Sequence, residues 1–165
     1  MAVAWHGASA CLCDCGIPVT VKRNGALMER IEIMSCTENL HQEVEHFFDA
    51  FVQAFQQFDG PLIAQRYAAP YIALNGDGVL RSFTTQARIG EYFQTVVDHY
   101  HQIGCRSCRY KDLEAIPLGR NSALATVTWE LLHGDGSSIH SWRESYNLTR
   151  TGQGLRIFAS TDHVG

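Results

Sequence analysis

The stretch SIHSWRESYNLTR, residues 138–150, alternates between two kinds of side chain. Successive side chains of a β-strand point to opposite faces, so the alternation predicts one strand with two different faces. One face holds the large apolar groups together with one carboxyl and one imidazole: His140, Trp142, Glu144, Tyr146 and Leu148. The other face is smaller and more polar: Ile139, Ser141, Arg143, Ser145, Asn147 and Thr149. We expect the first face to pack inward, which places an acid and an imidazole among aromatic rings.

Turn-forming residues separate this stretch from three further strands, predicted over residues 108–116, 123–133 and 155–163. In the strand at 123–133 the more apolar row is Ala125, Val127, Trp129 and Leu131. Short links between consecutive strands favour an antiparallel meander.

Helical periodicity dominates the chain before this meander. Apolar side chains between Leu40 and Phe58 recur at helical spacing, and Ser35 with Glu38 matches a capping box at a helix start. The sequence Asp59-Gly60-Pro61 ends that helix and starts a short second one, which we expect to reach Tyr67. The residues before Ser35 show no sustained period, which predicts an irregular extension over 1–34 and one domain over 35–165.

A hairpin and a third helix lie between the second helix and the meander. Extended segments at 71–74 and 79–83 flank Asn75-Gly76-Asp77-Gly78, a sequence typical of tight turns. The third helix is capped by Thr84 or Thr85 and ends at Gly104. Helices grouped ahead of an antiparallel meander indicate the α+β class.

Composition excludes several kinds of partner. The 165 residues carry 13 Lys and Arg against 17 Asp and Glu, a net charge of -4, so a nucleic-acid partner is not expected. No apolar run approaches the roughly 18 residues of a spanning helix, so no membrane partner is expected either. The six cysteines are unevenly spaced, which favours reduced thiols in a cytoplasmic protein. Cys105 and Cys108 have thioredoxin spacing but follow a helix, so redox chemistry is not expected.

The order of elements resembles the nuclear transport factor 2-like superfamily over about residues 38–163. The resemblance also rests on QRYA at 65–68 and on WRESYNL at 142–148 followed by GLRI at 154–157, a pattern similar to the SnoaL-like branch. It implies a cone over residues 35–164, in which a strongly curved antiparallel sheet wraps around three N-terminal helices and encloses a pocket.

Glu144 and His140 are the candidate catalytic residues of that pocket. Burial would raise the pKa of the Glu144 carboxyl and suit it to proton transfer, with His140 two residues away on the same face. The alternative is that Glu144 pairs with an Arg or a Tyr hydroxyl and only stabilises the sheet. Asp162 and His163 point to opposite faces, and parity does not say which points inward. The candidate ligand-binding residues are Phe51, Phe55, Tyr67, Tyr71, Asn75, Tyr92, Phe93, Trp129, Trp142, Tyr146 and Asp162.

The resemblance also permits a comparison with ketosteroid isomerases of this superfamily. It places Asn75 at the position of their general base, Phe51 at that of their oxyanion-hole tyrosine and Glu144 at that of their late-strand acid. Asn75 cannot accept a proton as a base and Phe51 has no hydroxyl, so steroid isomerisation by that mechanism is not expected.

The leading interpretation is a SnoaL-like domain that binds a small hydrophobic or aromatic molecule without a cofactor or a metal. One alternative is a cofactor-independent isomerase, cyclase or dehydratase in which Glu144 and His140 transfer protons. The other is a non-catalytic module that forms a homodimer through the polar outer face of the sheet, which carries Thr126, Thr128, Glu130, Arg143, Ser145 and Asn147.

Overall fold

The structure, a computed structural model, describes the backbone of residues 25–163 and the side chains of residues 39–163. It confirms the α+β class. The elements, in chain order, are α1 (Gly25–Phe55), α2 (Gly60–Ala64), β1 (Tyr67–Leu74), β2 (Leu80–Phe83), α3 (Gln86–Gln102), β3 (Ser107–Pro117), β4 (Ser122–Leu132), β5 (Ser138–Thr151) and β6 (Gly154–Asp162).

The first helix begins at Gly25, so the start predicted at Ser35 is wrong. A capping box stabilises a helix start, but it does not force one when the preceding residues can also be helical. No glycine or proline occurs from Ala26 to Phe55, so nothing interrupts the helix there. Residues 25–34, predicted to be irregular, therefore belong to α1. Residues 1–24 lie outside the described part of the chain, and the division into extension and domain stays a prediction.

The short second helix packs closely against α3. Asp59 caps it, because its carboxylate accepts a hydrogen bond from the Leu62 amide at 2.9 Å. A β-carbon at Gly60 would overlap the backbone of Gln94 in α3, so the close approach of the two helices requires glycine here. The Gln94 side chain in turn accepts from the Gly60 amide at 2.8 Å. The helix ends at Ala64 and not at Tyr67, where β1 already begins.

The six strands form one sheet in the order β2-β1-β6-β5-β4-β3. The meander from β3 to β6 is antiparallel as expected, whereas β1 pairs with β6 in parallel, so the sheet is mixed. A register shift occurs in four strand pairs: β1 with β6, β3 with β4, β4 with β5, and β5 with β6. Such irregularities increase the bend and twist of strands. The curved inner face of the sheet packs on the helices.

The core lies between α1 and the inner face of the sheet. Phe48 on α1 is fully buried, with its ring centroid 5.4 Å from that of Tyr146 and 5.9 Å from that of Trp129. Val127 and Leu148 are fully buried beside them, so the inward rows predicted for β4 and β5 are the rows that pack on the helices. Within residues 25–163, no helix has both the length and the hydropathy needed to cross a membrane.

Candidate ligand-binding cavity

A cavity of about 890 Å³ lies between the inner face of the sheet, the end of α1 and one side of α3. Its wall is largely aromatic, with a few polar groups from β5 and β6. Every side chain that the sequence predicted for the pocket lines it: Phe51, Phe55, Tyr67, Tyr71, Asn75, Tyr92, Phe93, Trp129, His140, Trp142, Glu144, Tyr146 and Asp162. Contact of these side chains with a ligand stays a prediction.

The carboxyl group of Glu144 lies at the centre of a buried hydrogen-bond network. The Tyr146 hydroxyl donates to Glu144 Oε2 at 2.6 Å, and the Trp142 indole N–H donates to the same oxygen at 3.1 Å. The Tyr146 hydroxyl itself accepts from the Trp129 indole N–H at 2.6 Å. Two strands thus supply rigid donors that fix the position of this carboxyl group.

The pKa of Glu144 is raised to about 7, mainly by burial and also by the neighbouring Asp162 carboxyl, against the opposing effect of hydrogen bonds to Tyr146, Trp142 and Ser160. Only 9% of the residue is exposed, so water does little to stabilise the charged form. Glu144 therefore changes protonation state near neutral pH.

Asp162 on β6 is the direct cross-strand partner of Glu144 on β5, so both side chains lie on the same face of the sheet. Parity left open whether Asp162 or His163 points inward. The register places Asp162 on the inner face, where it lines the cavity. Its side chain is half-buried, and burial raises its pKa, while the backbone N–H of Gly76 lowers it. His163 also borders the cavity but is exposed, and its Nε2 lies 2.8 Å from the Ser145 hydroxyl.

His140 lies at the rim of the cavity. It is exposed, and its ring stacks on Trp142 with centroids 5.5 Å apart and an interplanar angle of 17°. Among the hydrogen bonds of the described side chains, none joins His140 to Glu144. The carboxyl group that lies next to Glu144 is that of Asp162, which the sequence predicted only as a ligand-binding residue.

Two cavity residues that the predicted set lacks are Tyr100 and Ser160. Tyr100 continues the apolar stripe of α3 that contains Tyr92, so helical spacing could have identified it. Ser160 is two residues before Asp162 and therefore shares its face, but a lone serine carries no distinctive pattern. Its buried hydroxyl lies 2.8 Å from the Tyr71 hydroxyl, and it lowers the pKa of the nearby Glu144 carboxyl.

The two residues at the ketosteroid isomerase positions have other contacts here. The side chain of Asn75 accepts from the Val79 amide at 2.8 Å and so holds the hairpin turn. Phe51 packs on Trp129 and Tyr67, with centroids 5.4 Å and 6.1 Å away. Neither side chain supplies a base or a hydroxyl to the cavity.

Cys105 and Cys108 are free and buried. Burial raises the pKa of both thiols, which disfavours the reactive thiolate. Over the described side chains, no group of three or more His, Cys, Asp or Glu residues is placed to hold a metal ion. The cluster of Cys11, Cys13 and Cys15 lies outside the described residues.

Solved structures share this fold at low sequence identity. An NTF2-like protein with a cystatin-like fold from Novosphingobium aromaticivorans is similar with a TM-score of 0.62 and 11% identity, over 87% of this chain and 92% of that one. A putative dehydratase from the NTF2-like family of Streptomyces avermitilis has a TM-score of 0.59 and 12% identity, over 78% and 99%. A putative aromatic ring hydroxylase from Novosphingobium aromaticivorans has a TM-score of 0.58 and 14% identity, over 76% and 89%.

At these identities the similarity shows the fold alone, and it confirms the predicted cone. No curated protein matches the chain in sequence. A family model described as NTF2-like protein (DUF6841) matches residues 42–164, which span all elements from the middle of α1 to the end of β6. The chain therefore belongs to this family of NTF2-like proteins.

Proposed function

We propose that this protein binds a small, largely apolar or aromatic organic molecule in the cavity, as a domain of the SnoaL-like type, and that Glu144 recognises a polar atom of that molecule. The observation that carries the proposal is the buried Glu144 carboxyl at the wall of an aromatic cavity of about 890 Å³. Apolar walls with a few fixed polar groups are typical of sites for small molecules.

The Tyr146 hydroxyl pairs with Glu144, as the structural alternative expected, and the place of this carboxyl group in the cavity wall supports a binding role in addition. All the donors to this carboxyl group are neutral, and no Arg or Lys forms an ion pair with it among the described residues. Without a cationic partner, burial raises the pKa of this carboxyl group, so that it can hold a proton near neutral pH. When protonated, Glu144 can donate its own hydrogen to a ligand oxygen.

Native mass spectrometry of freshly purified, untagged protein tests this proposal. We expect a non-covalent adduct of small organic mass that is lost under denaturing conditions. The Glu144→Gln variant should retain less of the adduct, because an amide N–H is a weaker hydrogen-bond donor than the O–H of a carboxylic acid and the amide cannot become charged. The control is Glu91→Gln, which changes an exposed side chain on α3 outside the cavity and should keep the adduct. An adduct held equally by both variants would contradict the role of Glu144. Absence of an adduct, together with no binding of aromatic carbonyl compounds in calorimetry, would refute the proposal as a whole.

A second candidate function is proton transfer without a cofactor, as in an isomerase, cyclase or dehydratase. The observation that favours it is the pair of neighbouring carboxyl groups with unequal burial. The half-buried Asp162 would remove a proton from the carbon next to a ligand carbonyl, and protonated Glu144 would donate its proton to the carbonyl oxygen, which leaves a neutral enol. His140 at the rim is less well placed for either step than Asp162.

Turnover of an identified ligand distinguishes catalysis from binding. Asp162→Asn and Glu144→Gln should each lower kcat by about 10²-fold or more if the two groups transfer protons. The control is Glu91→Gln, which changes an exposed carboxylate on α3 outside the cavity. Unchanged turnover in both cavity variants would remove the enzymatic function and leave binding.

We also propose that two copies associate through the outer face of the sheet and that the protein works in the cytoplasm. On that face the Glu130 carboxylate accepts hydrogen bonds from Arg109 at 2.5 Å and from Lys111 at 2.7 Å. Contact with a second copy would therefore not bury an unpaired charge at Glu130. The free thiols of Cys105 and Cys108 suit a reducing compartment. Sedimentation at low micromolar concentration should give a dimer mass, and a monomer would refute the association.

A further inference from the structure

A second cavity of about 430 Å³ adjoins the first, between the β1–β2 hairpin and α3. The two cavities share five wall residues: Ala73, Asn75, Tyr92, Val96 and Tyr100. We call the larger space the inner chamber and the smaller one the outer chamber. Several residues of the outer chamber are exposed, so it opens to solvent on the side of the hairpin.

The outer chamber contains the guanidinium group of Arg81. Arg81 on β2 lies directly opposite Ala73 on β1, so its side chain shares the inner face of the sheet. The guanidinium carbon lies 5.8 Å from the ring centroid of Tyr92 on α3, which is within the range of a cation–π contact. Among the described residues, no carboxylate forms an ion pair with Arg81.

The charges of the two chambers differ. The inner chamber carries the buried carboxyl group of Glu144 and the half-buried one of Asp162. Its lining also includes Arg143, which forms an ion pair with Glu114, and the exposed imidazoles of His140 and His163. The outer chamber has no Asp or Glu among its lining residues, and the basic side chains in its wall are Arg81 and His99. Tyr92 borders both chambers, and Arg81 lowers its pKa while Glu144 and Asp162 raise it. An elongated molecule that spans the chambers would therefore meet an acid at one end and a guanidinium at the other.

We propose that the ligand of this cavity is a carboxylic acid whose apolar or aromatic body fills the inner chamber and whose carboxylate binds Arg81 in the outer chamber. This inference rests on the proposed binding function and adds the chemical class of the ligand. The planar guanidinium can donate two parallel hydrogen bonds to a carboxylate. Its contact with Tyr92 already restricts the Arg81 side chain, so binding a ligand costs less conformational entropy. The reverse orientation would place a ligand carboxylate beside Glu144 and Asp162, where repulsion and burial both oppose it.

Two probes with the same aromatic body, pyrenebutanoic acid and pyrenebutanol, test the inference. We measure their dissociation constants by fluorescence titration at neutral pH with wild-type protein, Arg81→Gln and Arg88→Gln. Arg88 is the matched control, because it is an exposed arginine on the neighbouring helix α3 that pairs with Glu91 and lines neither chamber. A second variant, Arg81→Lys, keeps the charge but removes the planar fork.

The acid should bind wild-type protein about tenfold more tightly than the alcohol, the size of one charge-assisted contact. Arg81→Gln should remove this difference by weakening the acid alone, Arg81→Lys should remove part of it, and Arg88→Gln should leave it intact. Added salt should weaken binding of the acid more than that of the alcohol. Equal binding of both probes, unchanged in Arg81→Gln, would overturn the carboxylate inference while the cavity-binding function stands. Failure of both probes to bind wild-type protein would refute the two together.

Discussion

Replacement of Glu144 by glutamine should change how the stability of this protein depends on pH. Burial raises the pKa of this carboxyl to about 7 in the folded chain, against an ordinary value of 4.5. Between these two values the folded chain holds a proton that the unfolded chain has lost, so the free energy of unfolding falls as the pH rises through this window. The full loss, reached above the folded pKa, is about 3 kcal/mol.

Glutamine has nearly the shape of protonated glutamic acid but does not titrate in this range. The difference in unfolding free energy, Glu144→Gln minus wild type, should therefore become more positive by about 3 kcal/mol between about pH 4.5 and about pH 8. Titrating groups that do not interact with Glu144 act equally on both proteins and cancel in this difference, whereas the coupling of Glu144 to Asp162 forms part of it. At low pH the difference in unfolding free energy depends on whether the glutamine N–H groups find hydrogen-bond acceptors. The change of this difference with pH does not depend on that.

Denaturation with urea, followed by tryptophan fluorescence and far-UV circular dichroism at several pH values, measures this difference. Trp129 and Trp142 belong to the hydrogen-bond network of Glu144, so fluorescence also reports on the cavity wall. Glu91→Gln is the control, because it removes an exposed carboxylate whose interactions are screened by water. A difference for Glu144→Gln that is flat with pH would refute the reasoning, since it would mean that Glu144 titrates equally in the folded and unfolded chains.

Three further predictions concern the core and the cavity wall. Gly60→Ala should lower the free energy of unfolding by about 3 kcal/mol, because the new methyl group overlaps the backbone of α3. Gly76→Ala, with open space around it, should change this free energy by no more than about 0.5 kcal/mol. Equal effects of the two substitutions in chemical denaturation would contradict the close packing at Gly60. Tyr146→Phe removes a donor that lowers the pKa of Glu144, so the pH-dependent loss of stability should move to higher pH, and a shift to lower pH would argue against this hydrogen bond. Cys108 is 5% exposed, so iodoacetamide followed by peptide mass mapping should leave it unmodified in the native protein and modify it in urea; native labelling would show that this strand opens.

Periodicity predicted the cavity wall because the same residues determine the sheet faces and the pocket. Trp129, Trp142 and Tyr146 are large apolar groups at alternate positions of two adjacent strands, and side chains of this size have to face the helices. The helical stripe on α3 predicted Tyr92 and Phe93 in the same way. Those rules identify which side chains share a face, and that suffices for most of the wall.

Parity alone could not identify the partner of Glu144. Whether Asp162 or His163 points inward depends on how β6 aligns with β5, and this alignment contains a register shift between Asn147 and Leu148. A register shift arises from tertiary packing and leaves no pattern in the spacing of residues. The start of α1 was mispredicted for a related reason, because the capping pattern at Ser35 is local and the helix continues through it.

The parallel pairing of β1 with β6 has a consequence for the order of folding. These strands are adjacent in the sheet although the whole of β2 to β5 lies between them in the chain, so they can meet only after the last described strand is available. Contacts so distant in sequence form slowly, because a long loop has to close before they stabilise anything. During synthesis the helices and the hairpin would emerge with one edge of β1 unpaired, and Asp162 would be among the last cavity groups to arrive. The cavity wall of the nascent chain is therefore incomplete until β6 docks, and until then the β1 edge is open to pairing with another strand.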